Sequence, residues 1–228
     1  MPRFVLFDID STLIDSGGAG RAALNLSLQE FTGVTDGFKE IKFAGKTDPL
    51  IIREAFAHLG IAMQDGVLAD FLRLYLAHLE RTIGNGKGVL KPGVAKLLEK
   101  LSRDDRLILG LLTGNIHQGA RLKLEQHSLN PYFALGAFGD DSEDRNQLLP
   151  VAVRRLSEVM GVSVEYRDCV VIGDTPKDVA AARIHGAVAV AVATGPYPLE
   201  ALLETEADLV VPDLSDTDGI LSWLLRDN

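Results

Sequence analysis

The apolar positions of the chain fall into two patterns that alternate along most of its length. Short, continuously apolar runs end near Gly, Asp or Thr: "FVLFDID", "LILGLLT", "FALGAFG", "CVVIGDT", "AVAVAVATG" and "ADLVVP". Runs without polar alternation are typical of strands that are covered on both faces. Segments with helical spacing lie between them, at 94–102, 118–127, 146–160 and 177–185. Strand followed by helix, repeated, predicts a Rossmann-like α/β fold, with a parallel sheet in a three-layer α/β/α arrangement.

One stretch departs from this alternation and predicts a second unit. It has no convincing apolar strand, and its segments with helical spacing are 21–32, 50–59 and 68–81. Glycine-rich sequence borders it on both sides, "SGGAG" before and "GNGKG" after, and glycine tolerates large backbone rotations. The sequence therefore predicts an inserted α-helical cap domain at residues 17–88, hinged at both ends on a core domain made of residues 1–16 and 89–228.

Composition limits the partners that this chain can have. Its 228 residues, 46% of them hydrophobic, can bury one large core and a smaller second one. A formal net charge of -9 argues against nonspecific binding to nucleic acid or to anionic membranes, because both depend on clustered Lys and Arg. The start of the chain lacks a signal-peptide pattern, and no apolar stretch reaches the roughly 18 residues of a membrane span. A cytoplasmic protein is expected, and the oligomeric state is left open.

Polar side chains follow three of the predicted strands. The first run leads to Asp8, Asp10 and Thr12, the second to Thr113, Gly114 and Asn115, and the fourth to Asp174 and Asp178. Ligands of open α/β sheets bind at the carboxyl ends of the strands. Three carboxylates meeting there would repel one another unless a cation lay among them. Oxygen ligands with no His or Cys nearby favour Mg²⁺, which in turn suggests a phosphate ligand.

Two carboxylates one residue apart can divide the work of phosphoryl transfer. One can attack phosphorus and form an aspartyl phosphate, as in some ATPases. The other can protonate the leaving oxygen and later activate water. A lone Asp-x-Asp is usually a turn or a helix cap, and "GDTPKD" alone could be a Gly turn followed by an Asp or Thr N-cap with Pro in the first turn. Their occurrence together, each closing an apolar strand, favours an active site.

These motifs, in this order, resemble those of the haloacid dehalogenase (HAD) superfamily. The matching segments are "DIDSTLIDS", "LLTGN" and "GDTPKDVAAAR", and the tail "ATGP…ADLVVPDL" is similar to the last strands of that family. The likeness is to its phosphatase branch with a helical cap, as in phosphoglycolate phosphatase and β-phosphoglucomutase. It implies a Mg²⁺-dependent phosphatase that hydrolyses a small phosphorylated metabolite through an aspartyl phosphate.

The resemblance also implies a role for each strand-end residue. Asp8 would be the nucleophile and a metal ligand, and Asp10 the general acid and base, with its backbone carbonyl on the metal. Asp174 would complete the protein ligands of Mg²⁺, while Asp178 would lie behind them.

The remaining strand-end residues would bind the phosphate. Thr113 would hold the transferring phosphoryl group, supported by Gly114 and Asn115, and the hydroxyl of Thr12 is suited to the same phosphate. The family most often has Gly at the position of Ser11, where the backbone turns close to the phosphate.

The family further requires a cation that neutralises charge on the phosphoryl oxygens. Arg145 is the first candidate, because it lies where the helix after "DDSED" should begin, and Arg offers phosphate a bidentate grip. The alternative is that Arg145 pairs with those acids at the surface. Lys123 is the second candidate, although we expect it on an exposed helix face.

The cap carries one segment that imitates a known motif. "AGKTD" resembles part of a nucleotide-binding P-loop, but the first glycine of that signature is replaced by Glu40, and no apolar run precedes it. We expect instead that Thr47 or Asp48 caps a helix, with Pro49 in its first turn. Lys46 is our candidate for substrate selection, because the sheet domain sees only phosphate and metal.

Three other functions share parts of this pattern. A phosphomutase would return the phosphoryl group to a sugar rather than to water, and it is the nearest alternative. A haloacid dehalogenase needs neither Mg²⁺ nor the second carboxylate that Asp10 supplies. A non-enzymatic phospho-Asp switch would share the acidic pocket but would have no use for the hinged insertion.

Overall fold

The computed structural model describes residues 2–84 and 86–226. Its strands are β1 (Arg3–Phe7), β2 (Ile14–Asp15), β3 (Val89–Leu90), β4 (Leu107–Leu112), β5 (Gly136–Ala137), β6 (Cys169–Gly173), β7 (Val188–Val192) and β8 (Leu209–Val211). Its α-helices are α1 (Ala19–Thr32), α2 (Asp48–His58), α3 (Val67–Ile83), α4 (Val94–Leu101), α5 (His117–Glu125), α6 (Leu148–Met160), α7 (Pro176–Arg183), α8 (Leu199–Leu203) and α9 (Thr217–Leu224). Asn85, part of the predicted second hinge, and residues 1, 227 and 228, at the ends of the predicted core domain, lie outside the described residues.

Six strands form one parallel sheet in the order β5-β4-β1-β6-β7-β8. The six apolar runs of the sequence supply these six strands. Alternate side chains of β1 enter different cores: Val5 and Phe7 pack in one apolar cluster, Phe4 and Leu6 in another. A strand whose two faces are both buried has no polar alternation, which explains its sequence. The predicted Rossmann-like, three-layer α/β fold is confirmed.

The predicted helices also occur, with ends shifted by a few residues. The segment predicted at 146–160 begins with a 3₁₀ turn, Arg145–Gln147, before α6. Helices α8 and α9 and the strands β2 and β3 were not predicted; β2 and β3 have two residues each and α8 has five, too few to show a period. No helix within residues 2–84 and 86–226 has the length and apolar character needed to cross a membrane.

Helices α1, α2 and α3 pack around a third apolar cluster, which Ile116 of the segment after β4 also enters. Its aromatic centre includes Phe56 and Phe71, whose rings meet edge to face with centroids 5.3 Å apart. Helix α2 begins as expected, with the Thr47 side chain accepting a hydrogen bond from the Leu50 amide and Pro49 in the first turn. A cluster made almost entirely of residues from this segment supports our division of the chain at residues 17–88, which stays a prediction; we call this segment the cap.

The chain enters and leaves the cap through an antiparallel ribbon. Strand β2 pairs with β3 directly outside the limits of the cap, with Ile14 opposite Leu90 and Asp15 opposite Val89. The two connections are therefore joined by backbone hydrogen bonds rather than being independent linkers. This ribbon links the end of the "DIDSTLIDS" motif to both cap connections.

The turn between β1 and β2 holds a residue in an unfavourable conformation. Ser11 has φ of 65°, in the left-handed region that costs L-residues about 1–2 kcal/mol relative to the right-handed one. Its amide donates to the carbonyl of Ile14 at 2.7 Å, and its carbonyl accepts from the Thr194 hydroxyl at 2.6 Å. The hydrogen bonds at both ends of Ser11 keep the turn in place. Glycine would adopt this conformation without strain.

We expect Ser11→Gly to stabilise the protein by about 1 kcal/mol, because glycine adopts positive φ without strain and this gain exceeds the extra entropy of its unfolded chain. Chemical denaturation of both proteins measures the difference. The matched control is Ser102→Gly at the end of α4, where φ is -70°. Glycine gains nothing there and should lower stability. A loss of stability in both variants would contradict the strain at Ser11.

Candidate active site

The carboxyl ends of β1, β4 and β6 open into a cavity of about 540 Å³. The cap forms its other wall. Most of the residues predicted for the site line this cavity: Asp8, Asp10, Thr113, Gly114, Asn115, Arg145, Asp174 and Lys46. Parallel strands place their carboxyl ends on one edge of the sheet, which brings these distant segments together. A cavity of this volume accommodates a small metabolite.

Three buried carboxylates cluster at this edge. Asp8, Asp174 and Asp178 each offer an oxygen, and these oxygens lie within 4.8 Å of one another. Burial, followed by the charge of Asp8, raises the pKa of Asp174 to about 8. Burial likewise raises the pKa of Asp8 to about 6 against the opposing effect of Arg145. The site therefore resists holding its negative charges without a cation, and its donors are oxygens suited to a hard divalent ion.

Asp174 is held in place by its neighbours on two sides. The hydroxyl of Thr12 donates to its Oδ1 at 3.3 Å. On the other side a Cβ at Gly195 would run into the Asp174 carboxylate, so only glycine leaves room there. Thr12 thus contacts the acidic cluster, and neither it nor Asp178 lines the cavity.

Arg145 lies inside the site rather than at the surface. Its Nη2 is 3.2 Å from Asp8 Oδ1, and it also forms an ion pair with Asp178. The second oxygen of Asp178 accepts from the amide and the hydroxyl of Thr175, at 3.0 and 2.7 Å. The alternative of surface pairing with the acids of "DDSED" is wrong for Arg145. Asp178 orients it against Asp8.

Lys123 is buried, contrary to the exposed helix face that we expected. Its Nζ lies 2.6 Å from Asp10 Oδ2 and 2.5 Å from Asn115 Oδ1. Asn115 Nδ2 donates to the same Asp10 oxygen at 2.8 Å and to Thr113 Oγ1 at 2.9 Å. Burial tends to raise the pKa of Asp10, but the charge and hydrogen bond of Lys123 outweigh it and leave that pKa below its ordinary value.

The burial of Lys123 could have been predicted from the periodicity of its helix. The buried residues of α5 are Gly119, Ala120, Lys123 and Leu124, which follow the spacing of one helix face. The charge of the side chain hid this signal, because Lys is rarely buried without a partner. Its partner Asp10 lies 113 residues earlier in the chain.

The cap meets the site through the start of α2. The Asp48 amide donates to the Gly114 carbonyl at 2.7 Å, and Asp48 Oδ2 accepts from the Ile116 amide at 3.0 Å. A Cβ at Gly114 would run into the Lys46 carbonyl, so this glycine permits the close approach of the cap. Lys46 itself forms an ion pair with Glu54 of α2.

Sequence reasoning missed most of the cap residues that line the cavity. Arg21, Tyr75 and Phe43 all line the cavity. Arg21 lies in the first turn of α1 and Tyr75 in the middle of α3, and neither belongs to a recognisable motif. Asp48 was predicted only as a helix cap, and its contact with the strand-end segment at Gly114 and Ile116 was not foreseen.

Comparison with known proteins gives a consistent result. Residues 2–186 match the family model described as haloacid dehalogenase-like hydrolase. A phosphoglycolate phosphatase of Xanthomonas campestris pv. campestris is 30% identical over 213 residues, which cover 92% of each chain. Among solved structures, a hydrolase from Pseudomonas syringae has a TM-score of 0.73 at 24% identity, over 99% of this chain and 100% of that one.

A second solved structure is similar in fold. CbbY from Rhodobacter sphaeroides, in complex with phosphate, has a TM-score of 0.74 at 19% identity, over 95% of this chain and 96% of that one. At this level of identity, the likeness establishes the shared fold.

The Asp48 carboxyl should make stability depend on pH in a specific window. Burial raises its pKa from 3.8 to about 6, so the folded state holds the proton more tightly than the unfolded chain does. The contribution of Asp48 to the free energy of unfolding therefore decreases as pH rises between these two values. The change is at most about 3 kcal/mol, because each pKa unit corresponds to 1.36 kcal/mol.

Asp48→Asn keeps the acceptor oxygen and removes this titration. We expect the variant to become more stable relative to the wild type as pH rises through the window, measured by urea denaturation. The control is Asp65→Asn at an exposed position, whose stability should run parallel to that of the wild type. Parallel curves for Asp48→Asn would show that the Asp48 carboxyl does not titrate differently in the folded state.

Proposed function

We infer that this chain, which belongs to the haloacid dehalogenase-like hydrolases, is a Mg²⁺-dependent phosphatase that hydrolyses a small phosphate monoester through Asp8. One observation supports this most: the buried Asp8 carboxylate lines a metabolite-sized cavity, with Arg145 Nη2 3.2 Å away and Asp174 beside it. A nucleophile, a cation for phosphoryl oxygens and a set of metal ligands thus meet at one point.

The residues present fit a magnesium ion. The side chains of Asp8 and Asp174 and the backbone carbonyl of Asp10 would hold it. When bound, Mg²⁺ would neutralise these carboxylates and polarise a phosphoryl oxygen. Asp178 is less suited to be a ligand, because its two oxygens are already engaged by Arg145 and Thr175.

The proposed reaction has two steps. An Asp8 oxygen bonds to phosphorus while the bond from phosphorus to the leaving oxygen breaks. Asp10 gives that oxygen its proton from its protonated form, which is a minor form while Lys123 lowers its pKa. Water then attacks the phosphorus of phospho-Asp8, and Asp10 takes the proton of this water. Inorganic phosphate leaves, Asp8 is restored as the carboxylate and Asp10 as the protonated acid.

The phosphoryl oxygens would be held by the guanidinium of Arg145, the hydroxyl of Thr113 and the amides at Gly114 and Asn115. Arg145 serves this role better than Lys123, because its Nη2 already lies 3.2 Å from the proposed nucleophile, whereas the ammonium of Lys123 is paired with Asp10. A planar guanidinium can also bind two phosphoryl oxygens at once.

The cap would supply substrate selection and exclude bulk water from the phospho-enzyme. Its residue Lys46 lines the cavity and is the selection residue that the sequence suggested. Relatives named phosphoglycolate phosphatase make phosphoglycolate a first substrate to test. The cytoplasmic location expected from the sequence stays a prediction.

The first test is phosphate release from a panel of phosphate monoesters, phosphoglycolate included, with Mg²⁺ and after chelation. We expect turnover that requires Mg²⁺ and that falls at least about 10³-fold in Asp8→Asn, because the amide cannot serve as the nucleophile. Acid-quenched enzyme should carry phosphate on Asp8 in the wild type. Turnover that persists in Asp8→Asn would refute the assignment of the nucleophile.

The control for this experiment is Asp65→Asn, which neutralises an exposed aspartate and should leave turnover unchanged. Product analysis separates the mutase: transfer of phosphate to a second position of a sugar, without release of inorganic phosphate, would favour it.

Lys46→Ala tests the role of the cap. If the ammonium of Lys46 binds the substrate, KM for the best substrate should rise by roughly tenfold, as for the loss of one hydrogen bond to a charged group. Because Lys46 is also paired with Glu54, Glu54→Gln is the matched variant and should not raise KM by that amount. Unchanged kinetics in Lys46→Ala would exclude Lys46 from substrate selection.

A further inference from the structure

The cations that line the cavity differ in how their charge is balanced. Four of them lie against carboxylates: Lys123 with Asp10, Arg145 with Asp8, Lys46 with Glu54 and Lys91 with Asp15. Arg21 is different. Within the described part of the chain, its side chain contacts backbone carbonyls and an aromatic ring, and no carboxylate pairs with it. Arg21 therefore lines the cavity with no carboxylate to balance its positive charge.

The guanidinium of Arg21 is fixed in position before any ligand binds. Its Nη1 donates to the Phe38 carbonyl at 2.5 Å and its Nη2 to the Ile41 carbonyl at 3.4 Å. Its central carbon lies 3.9 Å from the centroid of the Phe43 ring, which also lines the cavity. Three contacts hold one side chain, and a guanidinium has five N–H donors, so donors remain for a ligand. Because the Arg21 side chain is already ordered, an anion that binds here causes little further loss of side-chain entropy.

The two walls of the cavity thus each present a cation with a separate task. On the side of the sheet, Arg145 and the metal-binding carboxylates meet the phosphoryl group. On the side of the cap, the nearest candidates are Arg21 and Lys46, and the charge of Lys46 is already balanced by Glu54. Arg21 is therefore the stronger attraction for a second negative group.

We propose that Arg21 binds a second anionic group, a carboxylate or a second phosphate, on the leaving-group portion of the substrate. The substrate class is a small phosphate monoester with a negative group at each end. This inference rests on the proposed function for the identity of the first anion. Phe43 covers one face of the guanidinium, which favours an in-plane, bidentate approach of the anion.

The test compares phosphate esters that differ in the second anionic group. The pairs are 3-phosphoglycerate with glycerol 3-phosphate, and ribulose 1,5-bisphosphate with ribulose 5-phosphate. In the wild type we expect a higher kcat/KM for the more negative member of one of the two pairs. A preference within the first pair identifies the second anionic group as a carboxylate, and a preference within the second pair identifies it as a phosphate. In Arg21→Met that value should fall by roughly 10- to 100-fold, as for loss of a charge-assisted hydrogen bond. The less negative member should be little affected.

Two further variants keep the experiment decisive. Arg21→Lys retains the charge and should recover part of the preference. Arg21→Gln retains donors for the two carbonyls without charge, and it replaces Arg21→Met if that variant does not fold. The control is Arg73→Met, which removes an exposed cap arginine of α3 that does not line the cavity. An equal loss for both members of a pair would assign Arg21 a purely structural role and overturn the proposal.

A binding experiment separates this inference from the proposed function. Calorimetry with Asp8→Asn in Mg²⁺ measures binding of 3-phosphoglycerate, glycerol 3-phosphate and both ribulose phosphates without turnover. A preference for the more negative member that disappears in Asp8→Asn/Arg21→Met supports the proposal even if no ester is hydrolysed. Hydrolysis of both members with equal kcat/KM in each pair would leave the proposed phosphatase intact and refute the Arg21 subsite.

Discussion

The fold holds buried carboxylates close together near the ends of β1 and β6, and the rest of the site depends on this constraint. Oxygens of Asp8, Asp174 and Asp178 lie within 4.8 Å of one another, and burial raises the pKa of Asp8 and Asp174. Arg145 offsets only part of this negative charge. In the proposed function, a divalent cation would bind at this place and would help to hold a phosphate dianion there.

Burial of the apolar strands of the sheet offsets the energetic cost of holding these charges close together. Strand β1 lies between β4 and β6, and its side chains enter apolar clusters on both faces. That burial fixes the register of β1 against β6, in which the Asp8 amide donates to the Ile172 carbonyl at 2.9 Å. The carboxylates therefore stand on a rigid edge rather than on a mobile loop, as a positioned nucleophile requires.

The cap contributes a different kind of interaction. Its helices pack around an apolar cluster that Ile116 of the core domain also enters, and Asp48 and Lys46 approach the segment after β4 closely enough that Gly114 cannot carry a side chain. The ribbon of β2 and β3 connects this unit to the strand that carries Asp8 and Asp10. Substrate selection by cap residues would thus act close to the proposed nucleophile, and membership of the haloacid dehalogenase-like hydrolases is consistent with this division of labour.

The sequence by itself determined the six strands, most helices, the family and the acidic motifs, because continuous apolar runs and strand-end carboxylates are local signals. It also anticipated the entry of Arg145 into the site. Only the tertiary structure decided that Lys123 is buried against Asp10, that Arg21 faces the cavity without a carboxylate, and that Asp48 contacts the segment after β4. These contacts join residues that are far apart in the chain, and the charge or polarity of each side chain gives no indication of its partner. Burial of a charge is favourable only where a distant group compensates it, and the fold alone brings the two together.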